Sequence, residues 1–176
     1  KLEKLLTALA LQMGNEVSYN ELSQLIGIDN LTVEKYIRLL EQSFIIFRLD
    51  GFNRNLRNEI KKGKKIYFYD NGIRNVILNN FNTLNLRNDV GKLWENFLIS
   101  ERMKTNSYHL KNFKTYFWRT HAQQEIDYLE EADGKFYAYE FKWNDRKKAK
   151  IPKNFSETYK PEVEKIITKD NFHEFV

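Results

Sequence analysis

Apolar residues recur at helical spacing through the first forty positions, where Leu2, Leu5, Leu6 and Leu9 form one stripe and Val33, Tyr36, Ile37 and Leu40 another. Between the stripes, Ser18 and Glu21 make a capping box ahead of Leu22, Leu25 and Ile26, and Gly27 ends that short helix. Asn30 or Thr32 is expected to cap a third helix, leaving Thr32, Lys35, Arg38 and Gln42 on or near its outer face. Helix, short helix, turn, helix is the order of a helix-turn-helix. Two β-rich runs follow, Phe44 to Leu49 and Ile66 to Tyr69, separated by a polar, basic stretch with Lys61, Lys62, Lys64 and Lys65. A helix-turn-helix followed by such a hairpin predicts a winged helix over residues 1–81.

A connecting helix is expected from Asn71 to about Asn79, then an asparagine-rich loop that places a domain boundary near 82. Beyond it, Val90, Leu93, Trp94, Phe97 and Leu98 form the apolar stripe of a helix from Asp89 to Lys104, with Glu95 beside the stripe and Asp89 at its positive end. A strand at Tyr116 to Arg119 comes next, then a hairpin around Asp133-Gly134 and a basic segment from Asn144 to Lys153. A short helix at about Pro161 to Lys165 and a last strand at Lys165 to Thr168 complete the chain. Residues 82–176 therefore read as an α/β domain with a mixed sheet.

The hairpin carries the candidate chemistry. A two-residue turn at Asp133-Gly134 pairs 132 with 135 and, by continuation, sets Asp127 opposite Glu140 and Glu125 opposite Lys142. Those four side chains then share one face, while Ile126, Tyr128, Tyr137, Tyr139, Phe141 and Trp143 form an apolar face to be buried. Opposed like charges on a strand pair destabilise by up to about 1 kcal/mol. A hard divalent cation offsets that cost, and Mg²⁺ takes one or two carboxylates with water and phosphate completing its shell. The plainer alternative is a surface hairpin with a Glu125–Lys142 cross-strand ion pair.

Composition narrows the field modestly. With 176 residues, 41% hydrophobic and 15% aromatic, the chain can build ordinary cores without staples. It has no cysteine, and His109, His121 and His173 lack metal-ligand spacing, so neither a disulfide framework nor a zinc site is expected. No apolar run is long enough for a membrane span, which together with the lack of cysteine suits a cytoplasmic protein. A net charge of +5 permits a nucleic-acid partner. The opening Lys1-Leu2-Glu3-Lys4 has no initiator Met, so the chain is expected to be part of a longer protein.

The succession of a helix with Glu95, a strand, Glu125-Ile126-Asp127, Glu140-Phe141-Lys142, a helix and a strand resembles the PD-(D/E)xK nuclease superfamily, the restriction-endonuclease-like fold. Read with Lys65 to Gly72, Gly91 to Phe97 and Tyr116 to Thr120, the whole chain looks like the family of unknown function attached to the carboxy end of AAA-type bacterial and archaeal ATPases. That resemblance implies Glu95 as the helix acid, Asp127 and Glu140 as ligands of Mg²⁺, and Lys142 as the residue that positions or activates water. It also implies DNA as substrate, and an ATPase domain upstream as an intramolecular partner. The chain has no G-x-x-x-x-G-K-[ST], so ATP would bind only in the full-length protein. Lys35, Arg38, Lys61, Lys62, Lys64, Lys65 and Arg119 are the expected nucleic-acid contacts. Gln123-Gln124 departs from the nuclease pattern, where a small residue such as glycine tends to precede the acids. The alternative from another class is an inactive nuclease fold that mediates protein contacts or regulates the ATPase. An oligomeric assembly is compatible with either.

Overall fold

The computed structural model describes residues 1–53, 63–120, 122–144 and 150–176. Its chain is α/β, and its contacts divide it into two units. The first comprises Lys1–Leu49 and Gly63–Asn96, and the second comprises Phe97–Val176 with the short described stretch Asp50–Asn53. Among the described residues, β1 (Glu16–Val17), β2 (Ile46–Gly51), β3 (Lys64–Phe68), β4 (Lys114–Arg119), β5 (Glu125–Ala132), β6 (Lys135–Phe141) and β7 (Val163–Ile167) are hydrogen-bonded in the order β1-β3-β2-β4-β5-β6-β7, with both parallel and antiparallel pairs.

In the first unit β1 follows α1 (Leu2–Leu11), and α2 (Tyr19–Ile26) and α3 (Asn30–Gln42) precede β2. Ser18 caps α2 by accepting the Glu21 amide at 3.3 Å, and Gly27 ends it in the left-handed conformation at φ 69, as the capping box and glycine foretold. The cap of α3 is Asp29 and not Asn30 or Thr32: its carboxylate accepts the Thr32 amide at 2.9 Å and the Thr32 hydroxyl at 2.6 Å. A carboxylate one residue earlier satisfies the third amide of the helix, so the helix begins at Asn30. Leu5, Leu9, Leu22, Val33, Ile37 and Leu40 are buried with Ile46 and Phe47 of β2 (Ile46–Gly51) and Ile66, Tyr67 and Phe68 of β3 (Lys64–Phe68). The Tyr69 amide donates to Ile45 O at 3.2 Å, which brings the end of β3 to the start of β2. β1 (Glu16–Val17) pairs antiparallel with β3.

Asp70 caps α4 (Asn71–Ile77), and α5 runs over Val90–Tyr108, four residues further than Lys104. Residues 82–96, beyond the boundary expected near 82, group with the first unit through a dense polar network. Asp89 accepts from Arg74 and, at 2.8 and 2.9 Å, from Arg87, while Arg87 also donates to Asn80 O and Asn75 Oδ1. Buried Asn96 holds both the amide and the carbonyl of Phe68. Hydrogen bonds from Arg87, with help from Arg74, hold the Asp89 carboxyl far below the usual carboxylate range against the opposing effect of burial. A depressed folded-state pKa contributes stability that is fully present above the unfolded value, roughly pH 4, and is lost as pH falls through the folded one. The melting temperature of the wild type is therefore expected to fall from about pH 4 downward. An Asp89→Asn variant should melt lower at neutral pH and lose less on acidification. Parallel melting curves over the acid range for the two proteins would assign the acid sensitivity elsewhere.

The second unit is built on β4 (Lys114–Arg119), β5 (Glu125–Ala132), β6 (Lys135–Phe141) and β7 (Val163–Ile167). β4 pairs antiparallel with β5 and parallel with Asp50 and Gly51, β5 pairs antiparallel with β6, and β6 pairs parallel with β7. Both hairpin-turn residues have positive φ, Asp133 at 52 and Gly134 at 74, the backbone that a two-residue turn needs to match strand twist. A further helix, α6, is at Lys153–Tyr159 and not at 161–165, with Val163–Ile167 taking the strand. Lys160 ends α6 at φ 45, Pro161 cannot continue it, and Val163, Ile166 and Ile167 suit the sheet.

Candidate functional site

The hairpin register is the one the turn dictates: Ala132 faces Lys135, Glu131 faces Phe136, and the ladder runs to Tyr128 opposite Tyr139. The ladder stops there, one step short of Asp127 and Glu140. There the ladder gives way to a side chain, because Asp127 Oδ2 accepts the Phe141 amide at 2.7 Å. The cause lies on the other side of β5, where Tyr116 faces Leu129 but Trp118 faces Ile126. Two residues, Asp127 and Tyr128, thus stand opposite the single Phe117, a β-bulge.

The bulge corrects the expected faces. Ile126 does not join Tyr128; it packs with Leu129, Ala138, Trp118 and Phe155. Tyr128, Tyr139 and Phe141 pack on the other face around Phe175. Both faces of the hairpin are therefore buried, and the acids lie at one end of it rather than along a polar surface.

At that end Lys142 Nζ is 2.6 Å from Glu140 Oε1, and both side chains are mostly buried. Glu140 Oε2 is buried and has no hydrogen-bond partner. An unmet buried carboxylate oxygen is costly, of the order of 1–3 kcal/mol or more for a charged group. Among the described residues no three of His, Cys, Asp and Glu gather as a metal cluster, so a cation here would have the two carboxylates Asp127 and Glu140 from the protein. Exposed Arg119 at the end of β4 donates to Gln123, and its Cα partner in the register is Glu125.

Glu95 belongs to the first unit, where its Oε1 accepts the Tyr67 hydroxyl at 2.5 Å and lies 3.7 Å from Lys65 Nζ. Lys65 is only 3% exposed and so faces that acid rather than solvent. Lys64 lies over the Tyr19 ring at 5.3 Å, Lys35 is exposed on α3, and Arg38 is 3.7 Å from Glu34. Lys61 and Lys62 lie outside the described residues.

Sequence reasoning missed Glu130. It is wholly buried on β5, bonded by Arg102 Nε and Nη2 at 2.9 and 2.8 Å and by Asn106 Nδ2 at 2.6 Å. Arg102 also donates to Phe175 O at 2.8 Å and covers the Phe175 ring. A signal was available in the Arg102 to Asn106 spacing, which puts both on one face of α5.

Residues 1–84 match a domain of unknown function (DUF8612), and residues 90–174 match another (DUF4143), an AAA-ATPase-associated carboxy-terminal family. An uncharacterized protein of Mycobacterium bovis and one of Mycobacterium tuberculosis are each 26% identical over 138 residues, covering 77% of this chain. The chain spans about 30% of the length of these relatives. No solved structure matches. Among the described residues, no helix is long and apolar enough to cross a membrane.

Proposed function

We propose that the second unit is a divalent-cation-dependent phosphodiesterase acting on DNA, with a restriction-endonuclease-like fold. The first unit would be a winged helix that delivers it to the strand. The observation that carries this reading is Glu140, with one oxygen on Lys142 and the other buried and unmet, while Asp127 accepts the amide of the next residue, Phe141. A hard oxygen pair with one unsatisfied atom fits Mg²⁺, which is content with two carboxylates when water and phosphate supply the rest. Asp127 and Glu140 would hold the ion. When bound, it supplies polarisation of the phosphate and a more acidic water. Lys142 would stabilise the charge that builds on the phosphate oxygens, and Arg119 would bind a neighbouring phosphate. The chain would lie at the carboxy end of a cytoplasmic AAA-type ATPase, with ATP bound outside this chain; the family model matched by residues 90–174 supports the carboxy-terminal place. Glu95 and Lys65, turned toward each other in the first unit, are left out of the phosphate contacts.

Incubated with supercoiled DNA and Mg²⁺ or Mn²⁺, the protein is expected to nick or linearise it, and EDTA should stop the reaction. No cleavage with either ion, on duplex or single strands, would refute the catalytic reading.

A second reading rests on α3. Its outer face carries Leu31, 78% exposed, and Leu39, with Arg38 already beside Glu34. Exposed leucines suit a protein contact better than a phosphate backbone. If the chain fails to bind duplex DNA at low salt, this reading gains.

A further inference from the structure

Accepting the cation site proposed above, we infer that Lys142 is an internal counter-ion that keeps the divalent-cation affinity of the site low until a phosphodiester arrives. Cation and strand would then enter together. The inference starts from the division of labour on Glu140. Its Oε1 is engaged by the Lys142 ammonium at 2.6 Å, and its Oε2 is buried without a partner. Asp127 has committed Oδ2 to the amide of the following residue, Phe141, at 2.7 Å. The Glu140 carboxylate is thus already offset by the Lys142 ammonium before a doubly charged ion arrives. The ammonium also repels that ion from close range in a mostly buried setting, where such repulsion is poorly screened. An arriving phosphate changes both terms. It gives Lys142 a second anion to pair with and offers the cation a further hard oxygen. Each ligand then raises the affinity for the other by the same factor, as linkage requires.

Manganese titrations followed by electron paramagnetic resonance test this on the full chain, comparing wild type with Lys142→Met, Lys142→Arg and Glu140→Gln. A short phosphorothioate DNA strand, whose own Mn²⁺ binding is subtracted, serves as the phosphodiester probe. Lys142→Met is expected to bind Mn²⁺ alone about tenfold more tightly than wild type, whereas Lys142→Arg, which keeps the charge, should resemble wild type. The strand should tighten Mn²⁺ binding to wild type by about tenfold and to Lys142→Met much less. Glu140→Gln should bind Mn²⁺ poorly in every condition. If Lys142→Met binds Mn²⁺ no more tightly than wild type, or the strand helps both equally, the counter-ion role is overturned while the cation site stands. If neither wild type nor Lys142→Met binds Mn²⁺ with or without the strand, the cation site fails and the inference with it. Far-UV circular dichroism and melting curves of each variant show whether a lost affinity reflects unfolding.

Discussion

Replacing Arg102 with alanine is expected to destabilise the second unit by about 3–5 kcal/mol, the largest stability effect of any single substitution considered. Glu130 is wholly buried, and both of its oxygens receive Arg102, with Asn106 as a third donor. The same guanidinium donates to Phe175 O and lies 4.9 Å from the Phe175 ring centre. One side chain thus ties α5, the middle of β5 and the carboxy end together. Without it, Glu130 must either remain charged in an apolar surrounding or take up a proton, and each alternative carries most of the desolvation cost. Tyr128 shows how dry the region is, since burial first and the Glu130 charge second push its phenol well above the usual range. Guanidinium unfolding at neutral pH checks this through a lower midpoint with unchanged slope. A double variant, Arg102→Met with Glu130→Leu, removes both charges and should recover much of the loss. A midpoint for Arg102→Ala within about 1 kcal/mol of wild type would mean that water reaches Glu130.

What could be read in advance followed from local rules. The hairpin register came from a turn whose two residues must take positive φ, and Asp133-Gly134 can. The helix stripes came from spacing, and the end of α2 from Gly27. What could not be read depended on a partner far along the chain or on a backbone irregularity that no glycine or proline marks. The β5 bulge is the clearest instance. Nothing in Glu125-Ile126-Asp127-Tyr128 announces an extra residue, yet it turns Ile126 from one face to the other and swings Asp127 onto the Phe141 amide. Glu130 beside Glu131 reads as a solvated pair until Arg102, 28 residues earlier, is placed over it. Lys65 reads as part of a basic run because Lys61, Lys62 and Lys64 surround it, although strand alternation turns it toward Glu95. Helix α6 was missed because its apolar signal is only Phe155 and Tyr159, one turn apart. Gln123, the departure from the nuclease pattern, proves to sit at φ 62, a conformation that glycine takes without the roughly 1–2 kcal/mol an L side chain costs.

The sharpest test of the proposed chemistry is Asp127→Asn. Alanine at this position would remove the carboxylate and also strand the Phe141 amide, so a loss of activity could reflect a loosened hairpin. Asparagine keeps an oxygen of the same reach to accept that amide and changes only the charge. If Asp127 is a cation ligand, its neutral isostere should weaken the ion and misplace it. Polarisation of the phosphate by a bound metal accounts for several kcal/mol of transition-state stabilisation, so DNA cleavage should fall by about a thousandfold or more. The melting temperature should stay close to that of wild type, and DNA affinity measured without divalent cations should be nearly unchanged, since no phosphate contact is lost. If the asparagine variant cleaves at the wild-type rate, Asp127 is a hairpin fastener only. The unmet oxygen of Glu140 would then lack its neighbouring ligand, and the two-carboxylate site would have no basis in this chain.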